Sequence, residues 1–138
     1  MQSTGERNDP KTGITPYLTV SDGPAAVAFY EKAFGAKETF RATGEDGRRI
    51  MHSQIALNGG MIFLSDHFSE HAGGTPAPTP AGMMLDLHVD DADKWWDRAV
   101  AAGATVAMPL ADQVWGDRWG TVKDPFGHTW AIGAPIKK

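Results

Sequence analysis

The chain has 138 residues, 41% hydrophobic and 22% charged, which suits one globular domain and excludes a disordered or fibrous class. A net charge of −4, with no basic run longer than Arg48-Arg49, argues against a nucleic-acid track, and the lack of cysteine excludes disulfides, thiolate metal sites and cysteine nucleophiles. No apolar segment resembles a signal peptide or a membrane span, so no membrane association is expected and the cytoplasm is the expected compartment.

Residues 1–12 carry turn formers and charges and read as a flexible leader. Ile14–Val20 alternates, with Ile14, Pro16, Leu18 and Val20 on one side and Thr15, Tyr17 and Thr19 on the other, the pattern of a half-buried strand. Asp22 is placed to cap a helix whose first turn takes Pro24, whose apolar face holds Val27, Tyr30 and Phe34, and which Gly35 ends. Strands are expected over Ala36–Arg41, Ile50–Leu57 and Met61–Ser65, with a hairpin turn at Asn58-Gly59-Gly60. Residues 66–81 hold Gly73, Gly74, Pro76, Pro78 and Pro80 without periodicity, so they read as a loop or a lid.

The pattern then restarts. Met83–Val89 alternates like the first strand, Asp91 caps a helix carrying Trp95, Ala99 and Ala102, and Gly103 ends it. Strands are expected over Thr105–Leu110, Trp119–Lys123 and His128–Gly133. Val20 and Asp22 match Val89 and Asp91 at an offset of 69, while Gly35 matches Gly103 and Gly59 matches Gly127 at 68. A near-constant offset through strand, helix end and hairpin identifies a tandem βαβββ repeat, hence an α+β fold. It divides the domain, 13–135, into a first module (13–66), a linker (67–81) and a second module (82–135).

Each strand's apolar side is expected to form core: Ile14, Leu18 and Val20; Ile55 and Leu57; Ile62 and Leu64; Leu85, Leu87 and Val89; Trp130 and Ile132. Period-two alternation sends Tyr17, His52, Gln54, Phe63, Asp86 and His88 to the other, concave side. That set mixes imidazole, carboxylate, amide and phenol and includes no Lys or Glu, which favours a ligand pocket over a face in contact with water. Beside it, Trp115, Trp119 and Arg118 form an aromatic–cation cluster suited to clamping an anion or to an interface. In the linker, His67 and His71, together with Glu70 and with Asp66 at the end of the first module, read first as loop residues and second as adventitious chelators.

The run starting at Gly13 (G-I-T-P-Y-L-T-V-S-D), the hairpin L-N-G-G-M-I-F-L-S-D at 57–66 and W-G-D-R-W-G-T-V-K-D-P-F-G-H-T-W at 115–130 resemble the PhnB-like branch of the vicinal-oxygen-chelate (glyoxalase/bleomycin-resistance/dioxygenase) superfamily. The resemblance covers nearly all of 13–135 and implies a glyoxalase-like fold with a concave mixed sheet and a homodimer. It also implies metal ligands at the positions held here by Thr15, Phe63, Met84 and Ala131, none of which offers imidazole or carboxylate. The expectation is therefore a protein without the usual metal site, binding a small organic ligand through Tyr17, His52, Gln54, Phe63, Asp86, His88, Trp115 and Arg118. The alternative is a lyase, isomerase or dioxygenase-type enzyme, using a divalent metal displaced onto His52, Asp86 and His88 or histidine acid–base chemistry. A third reading is a structural or regulatory dimer with no ligand.

Overall fold

A computed structural model describes every residue except Met1, Asn8 and Lys138. Nine strands and two α-helices follow in order: β1 (Gln2–Gly5), β2 (Tyr17–Val20), α1 (Gly23–Phe34), β3 (Lys37–Thr43), β4 (Ile50–Leu57), β5 (Gly60–Asp66), β6 (Met84–His88), α2 (Ala92–Ala102), β7 (Thr105–Asp112), β8 (Asp117–Lys123) and β9 (Thr129–Pro135). A 3₁₀ turn, Ser69–His71, interrupts the linker.

The strands form two mixed sheets, ordered β1-β3-β4-β5-β2 and β6-β9-β8-β7. Without β1, the first sheet reads β3-β4-β5-β2 and the second β7-β8-β9-β6, the same topology twice. In both, the strand before the helix pairs parallel with the last strand and the other pairings are antiparallel. The α+β class and the tandem βαβββ repeat are thus as expected from the sequence.

Matching local chemistry makes the matching elements. Asp22 caps α1 by accepting from the Ala25 amide at 3.1 Å, and Asp91 caps α2 by accepting from Lys94 at 3.2 Å. Gly35 and Gly103 end the two helices in the left-handed region, where a side chain would be strained. Asn58 and Gly59 both take positive φ, the combination that a two-residue hairpin compatible with strand twist requires.

By contact density the chain divides into one unit of residues 1–31 and 35–78 and another of residues 32–34 and 79–138. In the first, Leu18, Val20, Ile55, Leu57, Ile62 and Leu64 are buried, each such side chain contributing about 1.5–3 kcal/mol. In the second, Leu87, Val89, Val122, Trp130 and Ile132 are buried, and the Phe34 ring lies 4.7 Å from that of Trp130.

Two core expectations fail. Ile14 is 98% exposed, because β2 starts only at Tyr17 and the alternation has no strand to act on three residues earlier. Leu85 is only half-buried. The segment expected as a leader also contains a strand: β1 pairs antiparallel with β3, Gln2 opposite Thr43 and Gly5 opposite Phe40. Its four residues are all exposed, so backbone pairing places it there and no hydrophobic pattern announces it.

Candidate functional site

In the first unit, strand register brings four of the expected site residues together. Tyr17 pairs with Phe63, and Phe63 with Gln54, across three adjacent strands. Residue 52 lies two positions before residue 54 on β4 and so shares its face. The His52 ring centroid is 4.8 Å from that of Phe63, 5.5 Å from that of Tyr17 and 6.1 Å from that of Phe40. Tyr17 meets Phe63 edge-on at 5.7 Å. Phe40 enters this wall from β3, a residue the alternation of β4 and β5 could not have nominated.

A chain of hydrogen bonds runs through the wall. Gln54 is fully buried, and its side-chain nitrogen faces both the Asp9 carboxylate and His52 Nε2, the latter at 3.2 Å. An amide nitrogen only donates, so His52 accepts at Nε2 and carries its proton on Nδ1. That Nδ1 lies 2.9 Å from the Tyr17 hydroxyl, which in turn can donate to the Met51 carbonyl at 3.5 Å. Burial lowers the His52 pKa, Arg7 lowers it further and Asp9 opposes the change. Burial raises that of Tyr17. Both shifts favour the neutral phenol and the neutral imidazole.

Asp9 was not expected here. It reaches Gln54 across 45 residues and is held by Arg7 Nε at 3.0 and 3.2 Å from its two oxygens. Neighbouring residues Pro10, Lys11, Thr12 and Gly13 line, with Thr15 and Phe63, a cleft of about 210 Å³. No periodicity marks such a contact, so the sequence could not have revealed it.

The second unit holds the other candidates, and it separates them. Asp86 and His88 project from the same face of β6, with Oδ2 and Nε2 3.5 Å apart, and His88 is 85% exposed. Trp115 and Trp119 meet edge-on at 5.7 Å. Arg118 does not join them, since neighbouring residues on β8 point to opposite sides of the sheet. It donates to both oxygens of Asp93 at 3.0–3.2 Å and to Asp112 at 3.2 Å, and these carboxylates raise its pKa. With Ala134, Pro135 and Lys137, these three residues line a cleft of about 250 Å³. The expected cluster of Arg118 with Trp115 is therefore corrected: the guanidinium is already committed to two carboxylates on α2 and β7.

Asp66 and the linker residues after it serve the fold. Asp66 is buried and accepts from the amides of Gly23 and Ile50. Glu70 pairs with both terminal nitrogens of Arg49, whose guanidinium sits 4.3 Å over the Phe68 ring. His67 Nε2 bonds the Thr75 carbonyl at 2.7 Å.

For a metal, the donor chemistry is wrong at the positions the resemblance indicates. In the first unit Thr15 and Phe63 border a cleft that Asp9 also lines, and in the second Ala131 pairs with Asp86 on β6. Among the described residues no three His, Asp or Glu side chains form a group able to hold a metal ion, and His52, Asp86 and His88 form none. These residues do not fit the metal that related enzymes use.

A family model described as the Glyoxalase/Bleomycin resistance protein/Dioxygenase superfamily matches residues 13–132. The chain belongs to this superfamily. An uncharacterized protein of Mycobacterium bovis is 42% identical over 129 residues, covering 91% of this chain and 84% of its own length. Among solved structures, an Arabidopsis thaliana gene product is 28% identical with a TM-score of 0.68, covering 91% of this chain and 98% of that one. The PhnB protein of Bacillus cereus superposes with a TM-score of 0.67 at 20% identity over 89% of this chain and 99% of that one, a likeness of fold. Among the described residues of this superfamily member, no helix is long and apolar enough to cross a membrane.

Proposed function

We propose that this superfamily member binds a small organic ligand on the first-module sheet face bearing Tyr17, His52, Gln54 and Phe63, without a metal. The observation that carries this reading is Gln54, a fully buried polar side chain whose strand partners are Phe40 and Phe63 and whose amide meets the imidazole of His52. A buried amide costs free energy unless its hydrogen bonds are met, so one in an aromatic wall is a specificity element rather than filling. The rings supply stacking area and Gln54 and His52 supply orientation. The apolar side chains Met83, Met84, Val106, Met108, Val114 and Trp115 are all exposed on the second unit, which supports a homodimer. Sedimentation equilibrium tests that state.

Titration of the protein with a panel of aromatic and carbonyl compounds, followed by the side-chain NMR signals of His52, tests the reading. A compound that shifts His52 and loses at least tenfold in affinity in Phe63→Ala supports it. A panel that leaves His52 unmoved sinks it.

The His52–Tyr17 pair favours a second reading, an isomerase or lyase in which His52 moves a proton. Turnover of a bound compound, abolished in His52→Gln but retaining its binding, would distinguish this from binding alone.

A further inference from the structure

The proposed site is partly filled by the chain itself, and the filler has a definite chemistry. Asp9 presents a carboxylate to the donor face of Gln54, while Arg7 holds both oxygens of that carboxylate from the solvent side. The described residues between Gly5 and Thr15 form neither helix nor strand and are exposed, yet two features lead them to the site. β1 pairs with β3, and Gly5 at φ +82° packs so closely that a Cβ there would lie 2.1 Å from the Thr39 carbonyl oxygen. Beyond Asp9, residues 10–13 run beside Phe63 and Thr15.

The packing is weak where the chemistry is strong. Arg7 and Asp9 have side chains 57% and 48% exposed, so their ion pair is screened and contributes little to holding the segment down. Gln54, by contrast, is completely buried and fixed in the centre of the sheet. The exposed Asp9 side chain can rotate away at little cost without moving the backbone that carries Arg7, whereas the Gln54 donor it covers stays in place. Once the Asp9 carboxylate turns away, an incoming acceptor can take its place on Gln54 and Arg7, next to the wall of Tyr17, Phe40 and Phe63 around His52.

We infer that Asp9 is an internal stand-in for the ligand, and that the ligand is a small aromatic carboxylate which displaces Asp9 from Gln54 and Arg7. This rests on the ligand-site reading above and names its substrate class. A carboxylate fits because it reproduces what it replaces: two acceptor oxygens for the Arg7 guanidinium and for the amide of Gln54. An aromatic body fits because edge-on and offset ring contacts are what the wall offers. The segment thereby sets a threshold, since only a ligand that out-competes a tethered carboxylate gains the site.

Benzoate, with benzamide as its neutral counterpart, serves as the probe in NMR titrations of full-length wild type, Asp9→Ala, Asp9→Asn and Asp9→Ala/Gln54→Ala. The Gln54 side-chain amide signals of unliganded Asp9→Ala should differ from those of wild type. Benzoate should bind Asp9→Ala at least tenfold more tightly than wild type, with Asp9→Asn between them. Benzamide should gain less, and the double variant should lose the gain. Equal benzoate affinity in wild type and Asp9→Ala, with His52 signals shifting in both, overturns this inference and leaves the site reading standing. Binding of benzamide but not benzoate to Asp9→Ala does the same. If neither compound, nor any member of the wider aromatic panel, moves His52 in any variant, both fall together.

Discussion

The carboxylate of Asp66, at the end of β5, accepts a 2.7 Å hydrogen bond from the amide of Gly23 at the start of α1. Its other oxygen accepts from Ile50 at 2.6 Å, so one buried side chain ties the start of α1 and the start of β4 to the end of β5. Asp66→Ala leaves two buried amides without this acceptor. At about 1.5–3 kcal/mol for each bond to a charged group, the loss should exceed about 3 kcal/mol in urea unfolding. Asp66→Asn keeps one acceptor oxygen and should lose about half as much.

Gly23→Ala tests the same joint from the other side. Alanine normally stabilises a helix over glycine by about 1 kcal/mol. Here its Cβ would stand 2.3 Å from Asp66 Oδ2, and such overpacking costs about 1–3 kcal/mol. The clash should win, giving a less stable protein. In the Asp66→Ala background the sign should reverse, a coupling that a double-mutant cycle would read directly.

Acid should weaken the anchorage of the linker. Arg49 holds the pKa of Glu70 and of Asp46 at about 2, below their ordinary 4.5 and 3.8. Folded-state values below the unfolded ones stabilise the fold above about pH 4.5, and this stabilisation is lost as pH falls from there towards 2. Melting temperatures of wild type and Arg49→Met should therefore differ most near pH 6 and converge near pH 2. Because both carboxylates are at the surface, added salt should shrink the gap.

His52 should act in the same direction at higher pH. Burial depresses its pKa, so the folded state takes up a proton less readily than the unfolded one. Stability from this source is present above the unfolded value, about 6.5, and declines as pH falls through it towards the depressed folded value. A protonated His52 would also point an N–H at the Gln54 amide nitrogen, donor against donor. An NMR titration of the ring should give a midpoint below that of an exposed histidine, moving up when Tyr17→Ala opens the wall to water.

The D-P-F-G-H-x-W string should prove structural. Asp124 accepts from the amides of Phe126 and His128 and from the indole of the buried Trp130, all at 2.9–3.0 Å. Asp124→Ala should cost about 3 kcal/mol or more, while ligand affinity per folded molecule at the first-module site stays unchanged. A large affinity change in folded protein would contradict this assignment.

Local signals accounted for what was legible. Asp22 and Asp91, Gly35 and Gly103, and the Asn58-Gly59 turn act through a few neighbouring residues, so their chemistry is readable without tertiary context. The facing of Tyr17, His52, Gln54 and Phe63 was equally accessible, since alternation on a strand assigns a side chain to one face. Ile14 failed because alternation has force only inside a strand, and pairing decides where the strand begins. Arg118 failed because its sequence neighbours, Trp115, Asp117 and Trp119, suggested partners, whereas its guanidinium reaches Asp93, 25 residues away.

By itself the sequence determined the repeated βαβββ order, the helix ends and the faces of the strands, because each is set by periods of two or 3.6 residues and by short capping and turn contacts. Only the tertiary structure decided which donors and acceptors meet over long separations. Gln54 lies 45 residues from Asp9, a distance along the chain at which pairing depends on the path of the backbone and not on residue type. The exposed segment that the sequence reads as a leader thereby supplies a carboxylate to the one fully buried amide of the aromatic wall.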